Sequence, residues 1–315
     1  MSQAAPDVPA QPDPEQLPRG LTPHAPLRRI TVLVNPMSGG VGPGAAEEAR
    51  DLMAGFACDF EIVELEAARI DGAIDEALAS KPDLLVVLAG DGTAGAAASR
   101  AGPDGPLVAP LPGGTMNMLP RALYGSRDWR AALVTALSEG VPHTVAGGEV
   151  EGHPFFCAAI LGSPALWAPA REALREGEMR HAWLYARRAF RRAFSGRIRF
   201  NLDRGELRRA EALVLISPMI SKAMEEPVGL EAAIMNPSDA AEAFRLAARA
   251  VFDDWRHDPS VRTQPAREIT VRSRSRIPAI VDGEPILLGP SARVRFNPRA
   301  FRALAPIPEA AADSV

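Results

Sequence analysis

Apolar runs and helical repeats alternate along the first half of the chain. Apolar, β-branched runs bounded by glycine or proline predict strands over 30–34, 60–65, 84–89 and 107–111. An alanine-rich helix is expected after the third strand, and apolar residues at helical spacing predict further helices over 45–56, 70–78 and 116–123. Four repeats of strand, loop and helix predict a parallel sheet with helices on both faces.

The pattern changes near residue 145, where strand signals separated by turn residues take over. Strands are predicted over 155–161, 198–202, 210–217, 230–235, 268–273, 279–281 and 292–296. Two helical stretches are predicted within them, over 166–195 and 238–256. The predicted fold class is therefore an α/β N-terminal domain with a parallel sheet, followed by a β-rich, mainly antiparallel, sandwich-like C-terminal domain.

Five segments follow from these patterns. The first holds seven prolines and few apolar residues, which predicts a disordered or polyproline-like tail. The segments are the tail 1–27, an α/β domain 28–145, a β-rich domain 146–298, a C-terminal segment 299–309 that returns to the first domain, and a tail 310–315.

Composition excludes several function classes. Acidic residues outnumber basic ones by 39 to 35, which argues against a nucleic-acid-binding protein. Lys81 and Lys222 are the two lysines, and neither lies in a P-loop motif. The histidines lack metal-binding spacing, and Cys58 and Cys157 are expected to be reduced core residues. No apolar run of membrane-spanning length and no secretory signal is found, so we expect a cytoplasmic protein.

Three glycine-rich loops follow three of the predicted parallel strands. Loops at the carboxyl ends of such strands share one edge of the sheet, so the three should converge. Glycine lets the backbone approach a ligand, helix N-termini attract phosphate, and hydroxyl groups can donate to phosphate oxygens. The loops therefore predict a nucleotide or polyphosphate site. Its candidate residues are Asn35, Pro36, Ser38, Gly39, Gly40, Gly90, Asp91, Gly92, Thr93, Gly113, Gly114, Thr115 and Asn117.

The motifs N-P-x-S-G-G, G-D-G-T, P-G-G-T-x-N and a late D-G-E occur in this order. Together they resemble the diacylglycerol kinase catalytic family, over roughly residues 28–308. The resemblance implies an α/β nucleotide-binding domain, a β-rich second domain and a reaction site in the cleft between them. It also implies transfer of the γ-phosphate of ATP, with Mg²⁺, to a lipid hydroxyl.

Site roles carried over from the family are assigned to three acidic residues. The resemblance makes Asp282 the general base, and Glu284 could position the metal or the acceptor. Taken alone, Asp282-Gly283 would be an ordinary hairpin turn. Asp91 is the candidate magnesium ligand, and capping of the following helix is the alternative role.

A basic stretch between residues 179 and 199 predicts a membrane contact. Arginines interleave there with aromatic residues at near-helical spacing, which is typical of an amphipathic helix on an anionic surface. The alternative is a helix whose aromatic side chains pack on the core while the arginines are solvated. The stretch contains Arg180, Arg187, Arg188, Arg191, Arg192, Arg197 and Arg199. We expect peripheral association with the inner membrane face, and the family resemblance adds a homodimer as a further possibility.

Two alternative functions stay open. Gly95, Ala96 and Met118 stand where the family commonly has polar residues, which favours a non-catalytic lipid- or nucleotide-binding relative. The G-D-G loop also occurs in NAD kinases, so a kinase with a soluble substrate is the other alternative. The sequence leaves the acceptor lipid open between diacylglycerol, a sphingoid base, ceramide and phosphatidylglycerol.

Overall fold

The computed structural model describes residues 23–126, 128–162, 198–221, 228–235 and 261–307. The predicted helices over 166–195 and 238–256, and most of the predicted tail, lie outside these ranges. The described residues divide into two compact units. The first contains residues up to Thr144 and those from Phe301 onward, and the second runs from Val145 to Ala300.

The first unit alternates strands and helices. Its elements are β1 (Arg29–Val34), α1 (Ala45–Met53), β2 (Asp59–Glu64), a 3-10 turn (Ala67–Arg69), α2 (Ile70–Ala79), β3 (Leu84–Ala89), α3 (Asp91–Ala101), β4 (Leu107–Pro112), α4 (Met118–Tyr124) and α5 (Trp129–Glu139).

The strands of the first unit form a parallel sheet in the order β2-β1-β3-β4. All six residues of β3 are buried, as its continuous apolar run predicts. Ala303 extends the sheet beyond β4 by pairing in parallel with Val108. The predicted α/β arrangement of this region is confirmed.

Packing at the start of the described chain corrects the predicted extent of the tail. Ala25 and Leu27 are buried in the core of the first unit, and the His24 N–H donates to the Leu137 carbonyl at 2.9 Å. The ordered structure therefore begins before Arg28. The prolines on either side concealed these two apolar residues, which are too few to show a period.

The second unit consists of strands in its described part. They are β5 (Val141–Val150), whose first residues belong to the first unit, β6 (His153–Phe155), β7 (Ala158–Gly162), β8 (Ile198–Leu202), β9 (Arg208–Ala210), β10 (Ala212–Ile216), β11 (Leu230–Met235), β12 (Val261–Ala266), β13 (Glu268–Arg272), β14 (Ile277–Val281), β15 (Glu284–Leu288) and β16 (Ser291–Ala305), which ends in the first unit.

These strands form two antiparallel layers with a common core. One layer has the order β16-β13-β8-β9, and the other has the order β12-β11-β10-β7-β14-β15. Phe200 and Val271 of the first layer pack in one cluster with Leu161 and Leu213 of the second. The predicted β-rich, antiparallel, sandwich-like character is confirmed. No helix in the described part of the chain is long and apolar enough to cross a membrane.

Candidate nucleotide site

The first glycine loop turns sharply after β1. The Asn35 side-chain oxygen accepts from the Met37 N–H at 3.1 Å, and the Ser38 N–H donates to the Asn35 carbonyl at 3.0 Å. This arrangement is an Asx turn, in which asparagine stabilises a bend through its own side chain. The turn leaves Gly39 and Gly40 exposed at the carboxyl edge of the sheet.

Ser38 joins the first loop to the second. Its hydroxyl oxygen accepts from the Gly90 N–H at 3.1 Å, between residues 52 positions apart. We expected this hydroxyl to donate to phosphate, and its proton is still available for that role. The bond also fixes Gly90, the residue directly before α3, so Ser38 sets the position of a helix N-terminus.

The start of α3 has the features that suit an anion. The first N–H groups of a helix have no acceptor within it, and the helix dipole favours negative charge there. Gly92 is exposed and Thr93 is half-buried in this first turn. Backbone donors and a hydroxyl group therefore face a space that a phosphate could occupy.

The third loop packs against the other two through glycines. A Cβ atom on Gly113 would lie 2.7 Å from the Ala89 carbonyl oxygen, and one on Gly114 would lie 2.9 Å from the Gly90 Cα. The Gly40 N–H donates to the Gly113 carbonyl at 3.0 Å. The three loops are thus in direct contact, and two of the glycines are required by backbone proximity.

Asp91 ties the second loop to the third. Its two carboxylate oxygens accept from the Asn117 N–H at 2.9 Å and the Met118 N–H at 3.1 Å. The aspartate therefore caps α4, whereas the alternative predicted from the sequence was a cap on its own helix, α3. Burial raises the pKa of the Asp91 carboxyl, and the hydrogen bonds from these N–H groups act in the opposite direction.

Asn117 closes the third loop on itself. Its side-chain oxygen accepts from the Gly114 N–H at 2.6 Å, and its side-chain nitrogen donates to the Gly114 carbonyl at 2.8 Å. The residue has a φ of 50°, in the left-handed region that asparagine tolerates better than most residues. Thr115 and Met116, inside this closed loop, are exposed.

A cavity of about 310 Å³ lies beside the start of α3. Gly92, Thr93 and Ala96 line one side of it. The other side comes from the segment after β2 and is formed by Ala67, Ala68, Ile70 and Asp71. Sequence reasoning missed this second side, because its residues carry no motif. Its position after a parallel strand was the one available signal.

Asp282 occupies a hairpin turn in the second unit. Asp282 and Gly283 connect β14 to β15 with φ values of 44° and 94°, and Val281 pairs with Glu284. Positive φ at both central residues is the geometry of a type I′ turn, for which Asp-Gly is favoured. The hairpin-turn reading from the sequence is therefore structurally correct, whatever else the aspartate does.

The Asp282 carboxylate is held by the backbone that leads into β7. Oδ2 accepts from the Phe156 N–H at 2.7 Å, and Oδ1 accepts from those of Cys157 and Ala158 at 2.9 and 2.8 Å. Three such bonds fix the orientation of the side chain. Glu284, two residues further on, is exposed.

The described residues bear differently on the predicted metal site and on the predicted membrane-binding stretch. Among the described residues, no group of three or more His, Cys, Asp or Glu side chains could hold a metal ion. Of the predicted membrane-binding arginines, Arg180, Arg187, Arg188, Arg191, Arg192 and Arg197 lie outside the described residues. Arg199 lies in strand β8, so it is not part of the amphipathic helix predicted for this stretch.

Comparison with known proteins extends these observations. Residues 29–150 match the family model of the diacylglycerol kinase catalytic domain. No curated protein matches the chain. A diacylglycerol kinase structure from Bacillus anthracis aligns with 14% identity and a TM-score of 0.60, covering 89% of this chain and 98% of the other. A candidate diacylglycerol kinase from the same organism aligns with 20% identity, a TM-score of 0.67 and the same coverage.

Because their sequence identities are low, the structural matches support the fold alone. The family match covers the region in which the three loops meet, and it agrees with the resemblance drawn from the motifs. Residues 29–150 are therefore similar to the diacylglycerol kinase catalytic domain, and the structural matches show a shared fold over most of the chain.

Proposed function

We propose that the protein is an ATP-dependent lipid kinase that transfers the γ-phosphate to a lipid hydroxyl group. The observation that carries the proposal is the contact of three glycine loops around the N-terminus of α3, within the region that matches the kinase family. The match to the family model supports a phosphotransferase, and the exposed backbone donors suit a polyphosphate.

ATP fits the first unit on two grounds. The glycines at the start of α3 and in the first loop leave backbone donors that a larger side chain would cover. The neighbouring cavity of about 310 Å³ is at the low end of the size range of small-molecule sites. We propose that the phosphates lie over Gly92 and Thr93 and that the cavity takes the nucleoside.

Mg²⁺ is the proposed companion of the nucleotide. This ion is commonly held by one or two carboxylates together with substrate phosphates and water. Asp91 is the one acidic residue in the three loops, so it is the candidate protein ligand. When bound, the ion would neutralise phosphate charge. The hydrogen bonds of Asp91 to α4 give the aspartate a second role that does not need the metal.

Asp282 is the proposed general base. In the reaction, the lipid oxygen would bond to the γ-phosphorus, the bond from that phosphorus to the β–γ bridging oxygen would break, and ADP would leave. The hydroxyl proton would pass to the Asp282 carboxylate. Glu284 is the proposed neighbour that helps to position the acceptor.

The test is transfer of labelled γ-phosphate from Mg-ATP to a panel of lipid-detergent micelles. We expect a labelled lipid whose formation falls by roughly 10²–10⁴-fold in Asp282→Asn. ATP binding to the same variant, measured by calorimetry, should persist, because the nucleotide loops belong to the other unit. Glu284→Gln is the matched control for loss of a nearby charge and should reduce transfer less.

Two results would count against the proposal. Unchanged transfer in a folded Asp282→Asn protein would remove Asp282 as the base. ATP binding without any lipid product would favour the non-catalytic alternative. The position of Ala96 in the cavity wall would then be relevant, since it offers a nucleotide only a methyl group.

A further inference from the structure

One face of the layer β16-β13-β8-β9 carries a row of arginines. Arg272 of β13 lies directly opposite Arg199 of β8, which in turn lies opposite Arg209 of β9. All three are exposed, and Ile198, Phe200, Ala210 and Val271 next to them in the strands are buried on the other face. Arg293 and Arg295 of β16 are exposed in the same alternation. We call this surface the arginine face.

The row opposes the stability of the sheet. Side chains directly opposite on antiparallel strands have Cβ atoms roughly 5 Å apart, and like charges in such pairs are destabilising. Arg199, Arg209 and Arg272 form no ion pair with any residue that the structure describes. Three unpaired like charges in consecutive strands therefore need a reason other than folding.

Among the described residues, the ion pairs on this face lie at one end of it. Glu268, opposite Arg295, lies 3.5 Å from Arg204 Nε and 3.9 Å from Arg293 Nε. The positions between the arginines carry small neutral polar groups, namely Thr270, Asn201 and Ser291. The chain as a whole has a net charge of −4, so this concentration of positive charge is local.

The chemistry of the face favours phosphate groups. Guanidinium forks bind phosphate oxygens through paired hydrogen bonds, and hydroxyl and amide groups add further donors. Four strands at about 4.8 Å spacing give a platform roughly 14 Å across. Sheets that bind single-stranded nucleic acid stack bases on aromatic side chains, and none of the paired outward positions named here is aromatic.

We propose that the arginine face docks the protein onto an anionic membrane surface by binding the phosphates of lipid headgroups. This inference goes beyond the proposed kinase activity, because docking requires neither ATP nor an acceptor. It also differs from the membrane contact predicted for residues 179–199, with which it shares Arg199, since it uses strands of the described sheet.

The test is sedimentation of the full chain with vesicles, without nucleotide. Phosphatidylcholine vesicles are compared with vesicles that also contain phosphatidylglycerol. The wild type should bind the anionic vesicles selectively, and less so as salt rises. The triple variant Arg199→Gln, Arg209→Gln, Arg272→Gln should lower the partition coefficient by roughly 100-fold, about fivefold for each arginine.

A second triple variant distinguishes an effect of the arginine face from an effect of total charge on vesicle binding. Arg28→Gln, Arg50→Gln and Arg262→Gln remove the same charge from exposed positions outside the face. Equal losses in the two variants, or equal wild-type binding to both kinds of vesicle, would overturn the proposal. So would binding of a single-stranded oligonucleotide that the first triple variant loses while its vesicle binding stays intact.

Thermal unfolding supplies an independent measurement. Removing the opposed charges should leave the unfolding temperature of the first triple variant unchanged or higher. A clear decrease would mean that the arginines stabilise the sheet, and it would remove the energetic basis of the proposal.

Discussion

An aspartate lies at each end of strand β3. Each accepts two backbone hydrogen bonds, but the pKa values of the two carboxyls are shifted in opposite directions. Asp83, before the strand, accepts the Arg28 and Arg29 N–H groups at 2.8 and 2.9 Å. Asp91, after it, accepts two N–H groups from the start of α4. The hydrogen bond from Arg29 N–H, followed by that from Arg28, lowers the pKa of Asp83, whereas burial raises the pKa of Asp91. The difference is therefore one of solvation, since both accept two backbone hydrogen bonds from other segments.

Cavity size alone would favour the end of the strand opposite to the proposed site. The amino end borders a cavity of about 560 Å³, larger than the one of about 310 Å³ at the carboxyl end. Its lining includes Leu78 in the last turn of α2, and the C-terminal end of a helix repels anions. The smaller cavity borders the first turn of α3, which attracts them. Lys81 and Arg302 also line the larger cavity, and Asp83 and Asp104 balance their charge, so helix polarity is the feature that distinguishes the two ends for a phosphate ligand.

The largest effect on this comparison should come from removing Asp91, with removal of Asp83 as the matched variant. Asp91→Ala should reduce lipid phosphorylation by roughly 100-fold, because a displaced third loop would misplace the phosphates. Asp83→Ala should leave transfer within roughly threefold of wild type, since its bonds only join the starts of β1 and β3. Labelled-phosphate transfer at saturating lipid and varied ATP measures both. A similar loss in the two variants would end the functional distinction between the two ends.

The close packing of the loops at the carboxyl edge of the sheet can be tested by replacing glycines. In Gly113→Ala the new Cβ would lie 2.7 Å from the Ala89 carbonyl oxygen, and we expect a loss of about 2–3 kcal/mol in the free energy of unfolding. Gly95→Ala is the matched control. Apart from its chain neighbours and the nearby backbone of α3, no atom lies within 4 Å of its new Cβ, and alanine in place of glycine within a helix adds up to about 1 kcal/mol of stability. Chemical denaturation measures the two values, and equal changes would contradict the close loop packing.

Sequence patterns were sufficient for the elements with strong periodicity. The strand over 84–89 has its predicted bounds, and so has that over 198–202. Helix α5 was missed although Trp129, Leu133 and Leu137 follow a helical period and Asp128 caps its N-terminus. Strand β12 was missed for a physical reason, since four of its six residues are exposed and give no apolar alternation.

The location of the site could be predicted from the sequence, but the hydrogen bonds that join its loops could not. Glycines after parallel strands indicated the shared edge, and the three loops do meet there. The acceptor role of Ser38 and the cap that Asp91 places on α4 depend on partners 52 and 26 or more positions away. A hydroxyl or carboxylate can take many partners, so its sequence neighbours do not reveal which one the fold supplies.

The smallest effect, and the most direct measure of the contrast across β3, is the pH dependence of stability. A raised folded-state pKa means that Asp91 favours folding below the usual carboxyl pKa of 3.8 and that this contribution is lost as pH rises through the folded-state value. Asp83, with a lowered pKa, contributes above 3.8, and its contribution is lost as pH falls through its own folded-state value. The two carboxyls therefore act with opposite signs.

Urea denaturation between acidic and neutral pH, without nucleotide or metal, would show this contrast. The stability difference between wild type and Asp91→Asn should shift in favour of wild type as pH falls toward 3.8. The difference between wild type and Asp83→Asn should stay constant until that pH and then shift against wild type. Asn keeps one acceptor oxygen at each position, so both variants should fold. Slopes of the same sign would mean that solvation does not distinguish the two ends, and that the carboxyl edge of the sheet is no drier than the amino edge.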